Sequence, residues 1–217
     1  MSRSSGTYLD LGAGDGAILR SAVEQGLLFR FNRIVAVDVS AKRIERLLAQ
    51  PRLANVEGIV ASAAALPLAD ASVDFVFSHQ VIEHVPDDGA FAREISRVLR
   101  PEGHAFVSSV SKRWYGWYFY RCNGKFRLDP THVREYRDAL ELGEVLRRAG
   151  LHVVSFVDRP LGHPLDKIAL RALTVTGLVP AQRAQAFFVR NRVLGALRGR
   201  ELRIPGYRYA DTLSVKT

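Results

Sequence analysis

The chain is 217 residues long and 47% hydrophobic, enough for one domain of ordinary size with a sizeable core, and 1–217 reads as a single domain. No run approaches the roughly 18 apolar residues of a membrane span, and the single cysteine, Cys122, excludes an internal disulfide, which fits a reducing cytoplasm. The formal net charge of +9 points to an acidic partner (phosphorylated substrate, anionic membrane surface or nucleic acid) or to a basic face that only solubilises.

Residues 1–6 are polar and lack the apolar stretch of a secretory leader, so a cytoplasmic location is expected, with peripheral membrane association as the alternative. Thr7–Leu11 is a short apolar run ending in glycines and predicts a buried strand. Ile18, Leu19, Ala22 and Val23 recur at helical spacing, and Gly26 suits a helix end. Residues 33–39 predict a second strand, and Ser40 a helix cap before Ile44, Leu47 and Leu48. Strands follow at Val56–Val60 and 72–78, then a helix capped by Asp88, a turn at Pro101-Glu102-Gly103 and a fifth strand over 104–110. A helix over 138–149 closes at Gly150, and 151–157 predicts a sixth strand. This alternation predicts an α/β fold with a mostly parallel sheet covered on both faces.

Two segments break the rhythm, and they carry the positive charge. Residues 112–137 hold seven Lys/Arg against Asp129 and Glu135, and residues 160–206 hold eight against Asp166 and Glu201. The first clusters Trp114, Tyr115, Trp117, Tyr118, Phe119 and Tyr120. They read as a cap over the active site, a membrane-interface patch or a base-stacking surface, in that order. Residues 160–205 predict two amphipathic helices, and Tyr207 to Val215 a returning last strand. Segments 111–137 and 160–205 are expected to shape a lid or acceptor site beside a core at 7–110.

The sharpest motif is Leu9-Asp10-Leu11-Gly12-Ala13-Gly14-Asp15-Gly16, between the first strand and first helix. Glycines there allow a tight turn and close approach of a ligand to the backbone. Twenty-two residues past Gly16, Asp38 ends the second strand, where a carboxylate can accept both hydroxyls of a ribose. The pattern is G-x-G-x-G, not the G-x-G-x-x-G of NAD-dependent dehydrogenases. Asp10 and Asp15 suit a cofactor bearing positive charge better than a pyrophosphate.

The first 110 residues resemble the class I S-adenosylmethionine (SAM)-dependent methyltransferases, in the broad group that includes quinone-biosynthesis and small-molecule methyltransferases. The resemblance rests on residues 9–16, 35–38, Ala65-Leu66-Pro67-Leu68, 73–78, Val81-Ile82-Glu83-His84-Val85 and Leu99-Arg100-Pro101-Glu102-Gly103. It implies a Rossmann-like, doubly wound, seven-stranded sheet with an antiparallel last strand and a helical insertion before it. It also implies SAM as cofactor and S-adenosylhomocysteine as product. Gly12, Ala13, Gly14 and Gly16 would line the methionine and ribose, Asp10 would fix the loop and the amino group, and Asp38 would bind the ribose. Val39 would pack on the adenine, with Ser62 and Ala63 at its edge; Ser62 stands where the family usually has an acid. His79 and Gln80 would lie near the methyl donor.

No metal is expected. In His79-Gln80-Val81-Ile82-Glu83-His84 three residues separate the first histidine from Glu83-His84, where an inverted zinc motif needs two. His132, in Asp129-Pro130-Thr131-His132, and His84 are the candidate catalytic residues, His132 as general base for a hydroxyl. The activity expected is methyl transfer to a hydroxyl of a small or lipid-like acceptor, and the basic segments suit an anionic one. The rivals are an RNA methyltransferase, without an Asn-Pro-Pro-Tyr-like motif after strand four, and a non-catalytic SAM- or nucleotide-binding partner subunit.

Overall fold

The computed structural model describes residues 6–116, 120–122, 125–165, 173 and 200–217. Strands β1 (Thr7–Leu11), β2 (Arg33–Asp38), β3 (Val56–Val60), β4 (Val73–His79) and β5 (Leu99–Lys112) are joined through helices α1 (Ala17–Glu24), α2 (Ala41–Leu48) and α3 (Asp88–Val98). A two-stranded ribbon, β6 (Tyr120–Cys122) and β7 (Lys125–Arg127), precedes α4 (Ala139–Arg148), β8 (Leu151–Pro164) and β9 (Glu201–Lys216).

One seven-stranded sheet runs β3-β2-β1-β4-β5-β9-β8. Strands β1 to β5 pair in parallel, and β9 inserts antiparallel between β5 and β8. This is the Rossmann-like sheet with its antiparallel final strand. The chain winds outward from β1 to β3, then returns to β4 beside β1. The crevice at the carboxyl ends of β1 and β4 is therefore the switch point where such sheets bind ligands.

Side-chain alternation sorts the core into two layers. Leu9, Leu11, Val35, Val37 and Val76 join Phe91 and Ile95 of α3 and Leu142 and Leu146 of α4. Tyr8 and Ala36, on the opposite face, join Leu19 of α1 and Leu47 of α2. Every residue of β1 is buried, as expected of a central strand covered on both sides. No helix among the described residues is long and apolar enough to cross a membrane.

Three expectations are corrected. Residues 160–164 and 201–205 are not helical: β8 runs to Pro164 and β9 starts at Glu201, with Gly162 opposite Arg203 and Pro164 opposite Glu201. Pro160, Gly162, Pro164 and Pro205 oppose helix there. Leu161 and Ile204 instead bury with Val110 and Tyr207 in a third cluster. Leu165 and Leu173 are helical, and the rest of that expected helical pair lies outside the described residues. The turn at 101–103 lies within β5, whose Leu99 already pairs with Val73, and Glu102 at φ +65° makes the irregularity.

The third correction concerns a cap, while Ser40 stands at the cap position expected of it. Asp87, not Asp88, caps α3, its Oδ1 accepting from the Ala90 amide at 2.8 Å. Ser40 occupies the cap position of α2 without a side-chain bond to the helix. Asp87→Ala is expected to cost about 1 kcal/mol in chemical denaturation, the usual worth of such a cap.

Candidate active site

The glycine loop is shaped by its own backbone. The amides of Gly12 and Ala13 both donate to the Val37 carbonyl, at 2.7 and 3.0 Å, which draws the loop over the end of β2. Gly12 sits at φ +82°, and a Cβ there would run into the Val81 side chain. Gly16, at φ +77°, starts α1, and a Cβ there would come within 2.9 Å of Leu47 and Leu53. Both positions require glycine for conformation and for space.

Asp38 is buried beneath this loop. One carboxylate oxygen accepts the Gly14 amide and the other the Ser40 amide, each at 2.9 Å. Exposed Arg43 lies 3.9 Å away. Each oxygen has two lone-pair sites, so each retains capacity for one ligand hydroxyl. Asp10 is buried behind the loop. Burial, then the charge of Asp38, push its carboxyl up to about 7.

A cleft of about 360 Å³ opens at this point. It is lined by Leu11, Gly12, residues 37–39, Arg43, residues 61–63, Gln80, Val81, His84, Val85, Pro86 and Thr131. Of the residues singled out from sequence, Gly12, Asp38, Val39, Ser62, Ala63, Gln80 and His84 are thus gathered around one space. Val39 is 76% exposed on its wall, an apolar surface open to a flat ring. The Ser62 hydroxyl accepts the Ala64 amide at 3.2 Å.

Asp10, Ala13, Gly14 and Gly16 lie outside the lining and form the loop and its underlay. His79, expected beside the methyl donor, also lies outside it. Its ring stacks on Phe77 and tilts against Tyr209, in the outward alternation that puts it on the opposite side from Ser78. Trp114 is 94% exposed and Tyr115 packs edge-on against it at 5.5 Å; neither lines the cleft, so this part of the aromatic run is no cap over it. Trp117, Tyr118 and Phe119 lie outside the described residues.

At the far end of the cleft the short turn Ile82–His84 meets the segment before α4. Arg134 joins them, donating to the carbonyls of Ile82 (3.0 Å), Val85 and Pro86 (2.6 Å). The clamp brings His84 and His132 ring to ring, 4.9 Å between centroids. His84 Nδ1 lies 3.0 Å from the Thr131 hydroxyl, which itself donates to Asp129 at 2.6 Å. His132 is buried, its Nδ1 3.5 Å from Glu135 Oε1. Glu83 is fully buried; its Oε2 accepts the Ser109 hydroxyl at 2.9 Å, and burial raises its carboxyl.

Sequence reasoning passed over Arg43 and Thr131, and weighed Glu83 only in a zinc motif set aside on spacing. Arg43 stands on the first turn of the helix after Asp38, and Thr131 is adjacent to a histidine already singled out. Those positions were their only signal.

The fold and the cleft define a class: an α/β domain with a ligand-sized cleft at the carboxyl ends of its central strands. The methyltransferase-domain family matches residues 9–107. A probable SAM-dependent methyltransferase of Mycolicibacterium smegmatis is 37% identical over 122 residues, 56% of this chain and 44% of that protein. A ubiquinone biosynthesis O-methyltransferase of Xylella fastidiosa is 27% identical over 165 residues, 70% of this chain and 63% of that one. The [4+2]-cyclase SpnF has the same fold, with a TM-score of 0.68 and 22% identity over 99% of this chain and 76% of its own. This chain matches a methyltransferase domain over residues 9–107 and is similar to probable SAM-dependent methyltransferases. It spans about half the length of the first curated relatives it matches.

The residues present fit SAM. Asp38 keeps acceptor capacity for two ribose hydroxyls, Val39 offers an apolar platform, and Asp10 is a buried carboxylate that a nearby cation would stabilise.

Proposed function

We propose that this chain transfers the methyl group of SAM to a hydroxyl oxygen of a small-molecule or lipid-like acceptor. The observation that carries the hydroxyl reading is the imidazole pair His84 and His132 at one end of the cofactor cleft. SAM, when bound, supplies an electrophilic methyl on a sulfonium. The chain's own residues bind and aim it: Asp38 takes the ribose, Asp10 the positive amino end, and the 61–63 turn the adenine edge. In-line displacement gains most from such positioning. An attacking hydroxyl must also lose its proton, and the histidines are the groups placed to receive or acidify it. His132 is buried, so His84 is the one that reaches the cleft, and His132 backs it.

A lipid-like acceptor is favoured by Trp114, whose near-complete exposure beside Tyr115, Lys112 and Arg113 suits a membrane interface. Sedimentation with anionic and zwitterionic vesicles tests that part.

The test of the main reading is calorimetric titration with SAM, S-adenosylhomocysteine and NAD, then transfer of labelled methyl to a panel of hydroxyl compounds. Micromolar binding of both SAM forms and none of NAD is expected. Binding of NAD alone, or of nothing, would refute it.

A further inference from the structure

The geometry points to a binding site for a first-row divalent transition-metal ion, zinc by default, formed by Glu83, His84 and His132 at the acceptor end of the cleft. One ligand atom from each of the three lies within 4.8 Å of the others. Ligands about 2.1 Å from a tetrahedral ion sit roughly 3.4 Å apart, so the cluster needs only a modest inward shift. His84 is the exposed member, on a short turn, and a small rotation of its ring supplies that shift.

The hydrogen bonds set the lone pairs for this use. The Thr131 hydroxyl gives its proton to Asp129, so toward His84 it acts as an acceptor. His84 therefore carries its proton on Nδ1 and leaves the Nε2 lone pair open. His132 turns Nδ1 toward the Glu135 carboxylate. Carboxylate or hydroxyl partners on the far nitrogen are what orient metal-bound imidazoles.

One buried atom lacks what an ion would supply: Glu83 Oε1 has no hydrogen-bond partner among the described residues, although Glu83 is fully buried. An unsatisfied buried carboxylate oxygen is costly, and a cation shared with two imidazoles removes that cost. The histidine dismissed on spacing, His79, is not part of this site; the third ligand comes from the segment before α4, docked by Arg134.

Three protein ligands with one position open is the pattern of catalytic rather than structural zinc. The open position adjoins the cleft through His84 and Thr131. There the ion would bind the acceptor oxygen and acidify its hydroxyl, with both histidines acting through the ion. That use rests on the hydroxyl-transfer reading; the site itself does not.

The experiment is titration of chelator-stripped protein with zinc alone, without SAM or acceptor, followed by cobalt substitution and its visible absorption. One ion per chain is expected. Changes outside the ligand set of such sites already cost about 10- to 100-fold in affinity, so His84→Ala is expected to cost about 100-fold or more and to abolish the cobalt bands. His84 is exposed, so that variant folds, which circular dichroism checks; buried His132→Gln serves as the second variant. Asp38→Ala should leave zinc binding intact. No stoichiometric ion, or an ion held equally well by His84→Ala, overturns the proposal. Zinc binding without SAM binding keeps this site and removes the methyltransferase reading; SAM binding without zinc does the reverse.

Discussion

Asp38→Ala is expected to weaken SAM binding by about 100-fold or more while leaving the protein folded. A hydrogen bond to a charged group is worth about 1.5–3 kcal/mol, and about 1.4 kcal/mol is tenfold in affinity. Two ribose hydroxyls on one carboxylate therefore account for at least about 100-fold. The side chain has a second duty. It receives the Gly14 and Ser40 amides, and so ties the glycine loop to the turn after β2. Its loss frees the loop at the moment the ligand needs it ordered, which adds to the deficit. The core beneath does not depend on it, because Gly12 and Ala13 remain bonded to the Val37 carbonyl. Calorimetry with SAM and S-adenosylhomocysteine reads the effect, and a thermal scan reads the fold. Affinity within about threefold of the parent would show that the ribose is held elsewhere. The 360 Å³ cleft would then need a different occupant.

The parts of this site that were legible in the sequence are those built by local chain order. Strand, glycine loop and helix follow one another without a break, and Asp38 falls at the end of the next strand. Spacing alone therefore placed Gly12 and Asp38 together. The acceptor end was not legible in the same way. His84 and His132 meet because the segment before α4 docks on a turn far away in sequence, through Arg134 on three carbonyls and the Val133 amide on the Glu83 carbonyl. Glu83 entered the sequence reading only beside His84, in a zinc motif set aside on spacing; it is fully buried, with Ser109 of β5 as its partner. His79 shows the opposite failure: the family resemblance placed it with Gln80 near the methyl donor, but strand alternation turned the ring to the Phe77 side.

The long hairpin was misread for a related reason. Leu161 and Ile204 are widely spaced apolar residues flanking an amphipathic pattern, and they look like its ends. They meet Tyr207 and Val110 only once β9 has crossed back beside β5. Within the glycine loop the physical needs are local, so the sequence displays them. In the hairpin and at the acceptor end they are tertiary, and no window of sequence contains both partners.

The other large effect belongs to Asp10, through its proposed place beside the cofactor's amino group. Its carboxyl is pushed up to about 7 in the free protein, by burial first and by Asp38 second. The unfolded chain titrates near the ordinary aspartate value of about 3.9. The folded state thus holds its proton more tightly than the unfolded one. The stability linked to this group is fully present below pH 4 and is lost as pH rises through about 7. Binding runs the other way. A cationic ligand favours the carboxylate and lowers its pKa, so SAM binding below pH 7 must expel a proton. Affinity should therefore climb with pH by up to about tenfold per unit below 7 and flatten above it. Titrations at pH 6 in buffers of different ionisation enthalpy should report close to one proton released, and at pH 8 close to none. Asp10→Asn should bind more weakly at pH 8 and lose the pH dependence. That second result ties the released proton to Asp10. If Asp10→Asn keeps the parent's slope, the proton comes from another group, and Asp10 serves the loop rather than the cofactor's charge.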